Sequence, residues 1–85
     1  MNVTIDCAQI RTKEDLHKLF ASILSFPDWY GKNLDALHDC LCSLSGTLRL
    51  ENWAEAEAKL GKYGIAARNT IAAAGLENRD LDILF

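Results

Sequence analysis

Apolar positions change period along this chain, and each change marks an element. Val3, Ile5 and Cys7 alternate with Thr4 and Asp6, the two-residue period of a strand over about residues 2–7. Leu16, Leu19, Phe20, Ile23 and Leu24 then recur at i, i+3, i+4, i+7 and i+8, the stripe of an amphipathic helix. Thr12 precedes that stripe, and Asp15 follows three residues on. This is a capping box, in which the two side chains satisfy backbone N–H groups left open at a helix start. The signals predict a helix over 13–25. Pro27 stops it, because the residue before a proline is pushed out of the α region.

Residues 26–33, FPDWYGKN, read as a loop that ends in a natural N-cap, Asn33. A second helix over 34–44 follows, with Leu34, Leu37, Cys40, Leu41 and Leu44 as one stripe and Ser45-Gly46 as its stop. Leu48 and Leu50 alternate in a short strand over 47–51. Asn52 with Glu55 is a further cap signal and opens an Ala-rich helix through Leu60. Gly61 and Gly64 read as turn glycines. A fourth helix over 65–74 carries Ile65, Arg68, Ile71 and Ala72, with Gly75 just past its end. Leu81, Ile83, Leu84 and Phe85 form a last strand.

The order is β-α-α-β-α-α-β. Strands separated by helical connections cannot be hairpins and call for a parallel sheet. The expectation is an α/β fold: one domain over residues 1–85, a three-stranded parallel sheet packed with about four helices. Composition agrees. The 85 residues are 49% hydrophobic and 25% charged, which supports a core and excludes disorder. No apolar run approaches the roughly 20 residues of a membrane span. The opening MNVTIDCAQI has no basic segment followed by an apolar one, so no secretory signal is expected.

Nine basic residues against twelve acidic ones leave a net charge of −3, and the basic ones form no stripe. That argues against nucleic acid or an anionic membrane as partner and in favour of a basic protein. Cys7, Cys40 and Cys42 are odd in number and make no C-x-x-C. They read as small apolar side chains in a reducing cytoplasm, with no disulfide, no metal site and no cofactor.

Candidate chemistry lies on the second helix. Opposite its apolar stripe stand Asp35, His38, Asp39, Cys42 and Ser43. Asp35 and Asp39 are i, i+4, so like charges share a face at a cost of a few tenths of a kcal/mol. Asp35 falls near the helix start, where the dipole favours a carboxylate. Asp39 has no comparable reason, since aspartate is a poor helix former. Two readings stay open: a solvated face, or a carboxylate pair kept for a partner. The loop favours the second. Trp29 and Tyr30 cannot both be core in so tight a loop, and an exposed aromatic beside acids suits an interface hot spot. Catalysis would need a cleft to desolvate an acid next to His38, and no nucleophile or phosphate-loop motif is present. His17 reads as a surface or margin residue of the first helix.

The string from Pro27 to Leu41, PDWYGKNLDALHDCL, with Gln9-Ile10-Arg11 and Asp15-Leu16-His17 before it, resembles the signature of the barstar family, small inhibitors of barnase-type ribonucleases. The likeness is continuous over residues 9–41 and looser but in order beyond. It implies a barstar-like fold and a cytoplasmic immunity protein, not an enzyme. It implies that the second helix and its loop plug a ribonuclease active site, one to one, with a monomer when free. Asp39 matches the family's central aspartate, which takes the place of an RNA phosphate. Asp35 matches a second acid, and Trp29 stands where the family has a stacking tyrosine. Gly31, Asn33 and Leu34 match loop and cap positions, and Tyr30, His38 and Cys42 complete the expected contact set. This chain departs from the pattern at His38 and Leu44, where the family often has tryptophan, and at Ile71 to Ala74, where a family acid is missing. Glu77 lies nearby, past Gly75, and does not match. The departures predict altered specificity. The rival expectation is a barstar-fold binding module whose target is not a ribonuclease.

Overall fold

Three short parallel strands carry the alternation read above: β1 (Asn2–Asp6), β2 (Gly46–Glu51) and β3 (Leu81–Leu84), hydrogen-bonded in the order β1-β2-β3. Between them run α1 (Lys13–Ile23), α2 (Leu34–Leu41), α3 (Trp53–Leu60) and α4 (Lys62–Glu77). A computed structural model describes all of residues 1–85. Val3 pairs with Leu48, and Leu48 with Ile83, so the apolar side chains of all three strands share one face. Thr4, Arg49 and Asp82 lie on the other face, exposed. Both connections step the same way across the sheet, and crossovers of one hand then cover one face. The polar face stays open, an unusual state for a parallel sheet.

The core under the covered face joins Ile5, Leu16, Phe20, Leu37, Leu41, Leu48 and Ile71, all fully buried. Each such side chain contributes roughly 1.5–3 kcal/mol by leaving water. α1 starts as its sequence dictates: Thr12 Oγ1 accepts the Asp15 N–H at 3.1 Å, and the Asp15 carboxylate accepts the Thr12 N–H at 3.3 Å.

Several boundaries differ from the sequence reading, each for a local reason. β1 ends at Asp6, whose carboxylate accepts the Ala8 N–H at 3.0 Å and caps a single 3-10 turn, Cys7–Gln9. The Cys7 thiol is buried there, and its pKa is pushed up to about 12. α1 stops at Ile23, before a left-handed Ser25 (φ 56°). α2 stops at Leu41, and the Asn78 amide takes up the carbonyls of Leu41 and Leu44 at 3.0 and 2.7 Å. Asn52 does not cap α3 through its side chain. It sits in the left-handed region (φ 58°), and its amide donates to the Asp6 carboxylate at 2.9 Å.

α4 is longer than its periodicity suggests. Its buried face is Gly64, Ala67, Ile71 and Ala74, not the set with Ile65 and Arg68, which are exposed. Gly64 is no turn residue. It lies in the helix with the Glu57 backbone so close that a Cβ would sit 2.6 Å from the Glu57 carbonyl oxygen. Gly75 is likewise helical, against Ile83, and the helix continues to Glu77. His17 is not at the surface. It is 2% exposed, with Nδ1 2.6 Å from the Tyr30 hydroxyl and Nε2 2.7 Å from the Tyr63 hydroxyl.

Candidate functional site

Asn33 fixes where α2 begins. Its Oδ1 accepts the Ala36 N–H at 2.8 Å, and its amide donates to the Gly31 carbonyl at 3.3 Å. Gly31 and Asn33 therefore shape the loop at the exposed edge of the face, and a Cβ on Gly31 would crowd the Asn33 amide at 3.0 Å. Leu34 and Cys40 are half-buried against the core, while Leu37 and Leu41 are fully buried. This anchoring turns Asp35 and Asp39 outward.

Asp35 is the second residue of α2, where a carboxylate meets the positive end of the dipole. Asp39 is in the last turn, near the negative end, where a carboxylate is disfavoured. Its side chain is 85% exposed, and no lysine or arginine pairs with either acid. The imidazole of His38 lies beside Asp39, with Nδ1 3.6 Å from Asp39 Oδ1. On the other side of the ring, His38 Nε2 contacts the Glu77 carboxylate from α4. That hydrogen bond is the main cause holding the His38 pKa above its ordinary value. Cys42 Sγ is 3.9 Å from both ring nitrogens, and desolvation, with Glu77 and Asp39 nearby, pushes its thiol up.

The loop before α2 separates its two aromatics. Trp29 is 81% exposed; Tyr30 is buried, its ring centroid 4.8 Å from that of Phe26. A surface groove of about 400 Å³ runs between this loop and α2, lined among others by Phe26, Trp29, Ala36, Asp39 and Leu44. A larger depression of about 670 Å³ opens at the carboxyl ends of the strands, between Arg49, Trp53, Arg68 and Phe85, and takes no residue from α2 or its loop.

The structure thus brings Trp29, Asp35, His38, Asp39 and Cys42 to one face, with Trp29 and Asp39 on one groove. Tyr30 does not join them; it supports the loop from within through His17 and Phe26. Glu77 was missed as a member of the face. Gly75 looked like a helix stop, and a glycine packed inside a helix has the same letter. The spacing Ala67, Ile71, Ala74 stops before Gly75, so no residue pattern marks the last turn of α4 that carries Glu77.

A family model described as Barstar (barnase inhibitor) matches residues 1–85. The chain belongs to the barstar family. A relative from Bacillus subtilis (strain 168), named "Putative ribonuclease inhibitor YrdF", is 38% identical over 81 residues, covering 92% of this chain and 89% of the relative. The barstar-like α/β fold expected from the residue pattern is the fold observed, with its parallel sheet and four helices. In this barstar-family chain the stretch Ile71 to Ala74 has no acid, yet α4 still presents one carboxylate to α2, that of Glu77. No helix is long and apolar enough to cross a membrane.

Proposed function

We propose that this protein is a cytoplasmic inhibitor, an immunity protein, of a barnase-type ribonuclease. It docks α2 and the preceding loop in the enzyme's active site, one copy to one. The observation that carries the reading is Asp39: an exposed carboxylate with no lysine or arginine partner, at a helix position that disfavours it, sharing a groove with an exposed tryptophan. A ribonuclease site is built to hold phosphates and is strongly positive, so an acidic helix face is its electrostatic complement. Asp39 takes the place of a phosphate, Asp35 adds charge at the rim, and Trp29 supplies rigid apolar area. His38 and Cys42 line the far edge. Gly31, Asn33 and Leu34 set the loop and helix that present these groups, and Tyr30 holds the loop from inside.

Both aspartates lie exposed on an open helix face. In this reading the protein inhibits by occupying the site and turns over no substrate. Three free cysteines suit a reducing compartment. The name of the Bacillus subtilis relative points the same way.

The test is a titration of the protein into barnase and related ribonucleases with a fluorogenic RNA, beside Asp39→Ala. Stoichiometric inhibition that disappears in the variant is the expected result. A second reading, a binding module for another protein, draws on the absent acid at Ile71 to Ala74 and on Leu76, which is exposed on α4 next to Glu77. Failure to inhibit any ribonuclease selects it.

A further inference from the structure

The C-terminal turns of α2 and α4 bring a nitrogen, a sulfur and a carboxylate together. His38 and Cys42 are i, i+4 and point the same way. Glu77, 39 residues beyond His38 in the chain, closes the group from the facing helix. Their ligand atoms all lie within 4.8 Å of one another, with Cys42 Sγ 3.9 Å from His38 Nε2. Donors around a tetrahedral ion at 2.0–2.3 Å stand about 3.3–3.8 Å apart. Small side-chain rotations separate the two arrangements.

We propose that His38, Cys42 and Glu77 form a binding site for a divalent ion of the zinc class. The donor set decides the class. Calcium and magnesium take oxygen ligands, whereas imidazole with thiolate selects zinc and its neighbours in the first transition row. His38 Nε2 faces the ion. With the ion bound, the ring proton is on Nδ1, which faces Asp39 Oδ1 at 3.6 Å on the opposite edge of the ring. One thiolate and one carboxylate balance the charge of the ion. Binding forms S–M, N–M and O–M bonds, and it displaces the Cys42 thiol proton and the Nε2 proton that Glu77 accepts in the free protein, with no change of oxidation state. The fourth position is open to water, because His38 and Cys42 are only half-buried.

The frame is firm. Asn78, one residue past Glu77, hydrogen-bonds the Leu41 and Leu44 carbonyls on either side of Cys42, so the ends of α2 and α4 are already joined. An ion here staples the helix that carries Asp35 and Asp39 to α4. No spacing in the sequence announces the site, since its third ligand comes from a distant helix.

The experiment is a titration of the reduced protein with Co²⁺, followed by displacement with Zn²⁺. A thiolate-to-cobalt charge-transfer band that saturates at one ion per chain is expected. Cys42→Ser should lose the band while keeping the native circular dichroism, Cys40→Ser should keep the band, and Glu77→Gln should weaken binding by about tenfold or more. Zn²⁺ should raise the melting temperature of the parent protein but not of Cys42→Ser. Absence of the band in the parent overturns the proposal, and so does a band that survives Cys42→Ser or vanishes in Cys40→Ser. No arm uses a ribonuclease, so the result stands apart from the inhibitor reading.

Discussion

Trp29 and Tyr30 are adjacent in the chain and face opposite ways: the indole is 81% exposed, and the phenol 6%. The cause is a turn. The Tyr30 N–H donates to the Pro27 carbonyl at 2.9 Å and swings the phenol inward, where its hydroxyl meets buried His17. Trp29 is left on the outer side with no core to enter. A large aromatic held in water beside an acid has no folding role to explain it.

Replacing Trp29 with alanine should therefore leave stability within about 0.5 kcal/mol of the parent, as for an exposed side chain. Affinity for the ribonuclease should fall by about 2 kcal/mol or more, the scale of an interface hot spot. Urea unfolding and inhibition titrations on the same variant check both halves. A large stability loss would put the indole in a packing role.

Asp39→Ala should separate binding from folding still further. The variant removes a carboxylate from the negative end of α2, so its melting temperature should stay or rise slightly. Its affinity should drop by several kcal/mol. The parent's association rate should fall steeply with salt, and the variant's less so. Stopped-flow mixing at two ionic strengths reads this, and equal slopes would count against Asp39 as the steering charge.

Leu37→Ala tests the opposite face of the same helix. Leu37 is fully buried, so truncation leaves a cavity and should cost roughly 2–5 kcal/mol of stability. Binding should weaken only as far as the folded fraction falls. Unchanged thermal stability with lost inhibition would place Leu37 at the interface and refute the packing described.

His17 predicts a pH dependence. Burial holds its pKa below 6.5, so between the folded value and 6.5 the unfolded chain carries the extra proton. Stability from this site is fully present above 6.5 and is lost as the pH falls through that value toward the folded pKa. A charged ring would also have to donate from both nitrogens, forcing both tyrosine hydroxyls to accept. His38 works in the opposite sense, because Glu77 raises its pKa, but its exposure keeps that contribution small. Unfolding free energies between about pH 5 and 7 should rise with pH in the parent and flatten in His17→Gln. The same slope in both proteins would assign the effect elsewhere.

Gly64→Ala should destabilise the chain by more than 1 kcal/mol, although alanine is the better helix former. The new methyl would meet the Glu57 carbonyl at 2.6 Å, and backbone cannot turn aside as a side chain can. A rise in melting temperature would show that α3 and α4 stand farther apart than described.

The candidate face was largely legible because its anchors are local. Asn33 caps α2 within four residues, and the stripe Leu37, Leu41 points inward by helical period alone, so the outward direction of Asp35 and Asp39 follows. The same holds for the Thr12–Asp15 box and for the strand alternation that requires a parallel sheet. These are relations within one turn or one strand, and a sequence states them directly.

What only the tertiary structure decided are the relations between distant segments. Gly64, Ala67 and Ala74 carry little hydropathy, so the buried face of α4 was invisible until α2 and α3 approached it closely. His17 became a core residue only when Tyr63, 46 residues away, supplied a second hydroxyl. Glu77 joined His38 and Cys42 only because Asn78 ties the end of α4 to the end of α2. Periodicity reports which side of an element avoids water. Which side chain from another element meets it there depends on packing, and no local pattern records that.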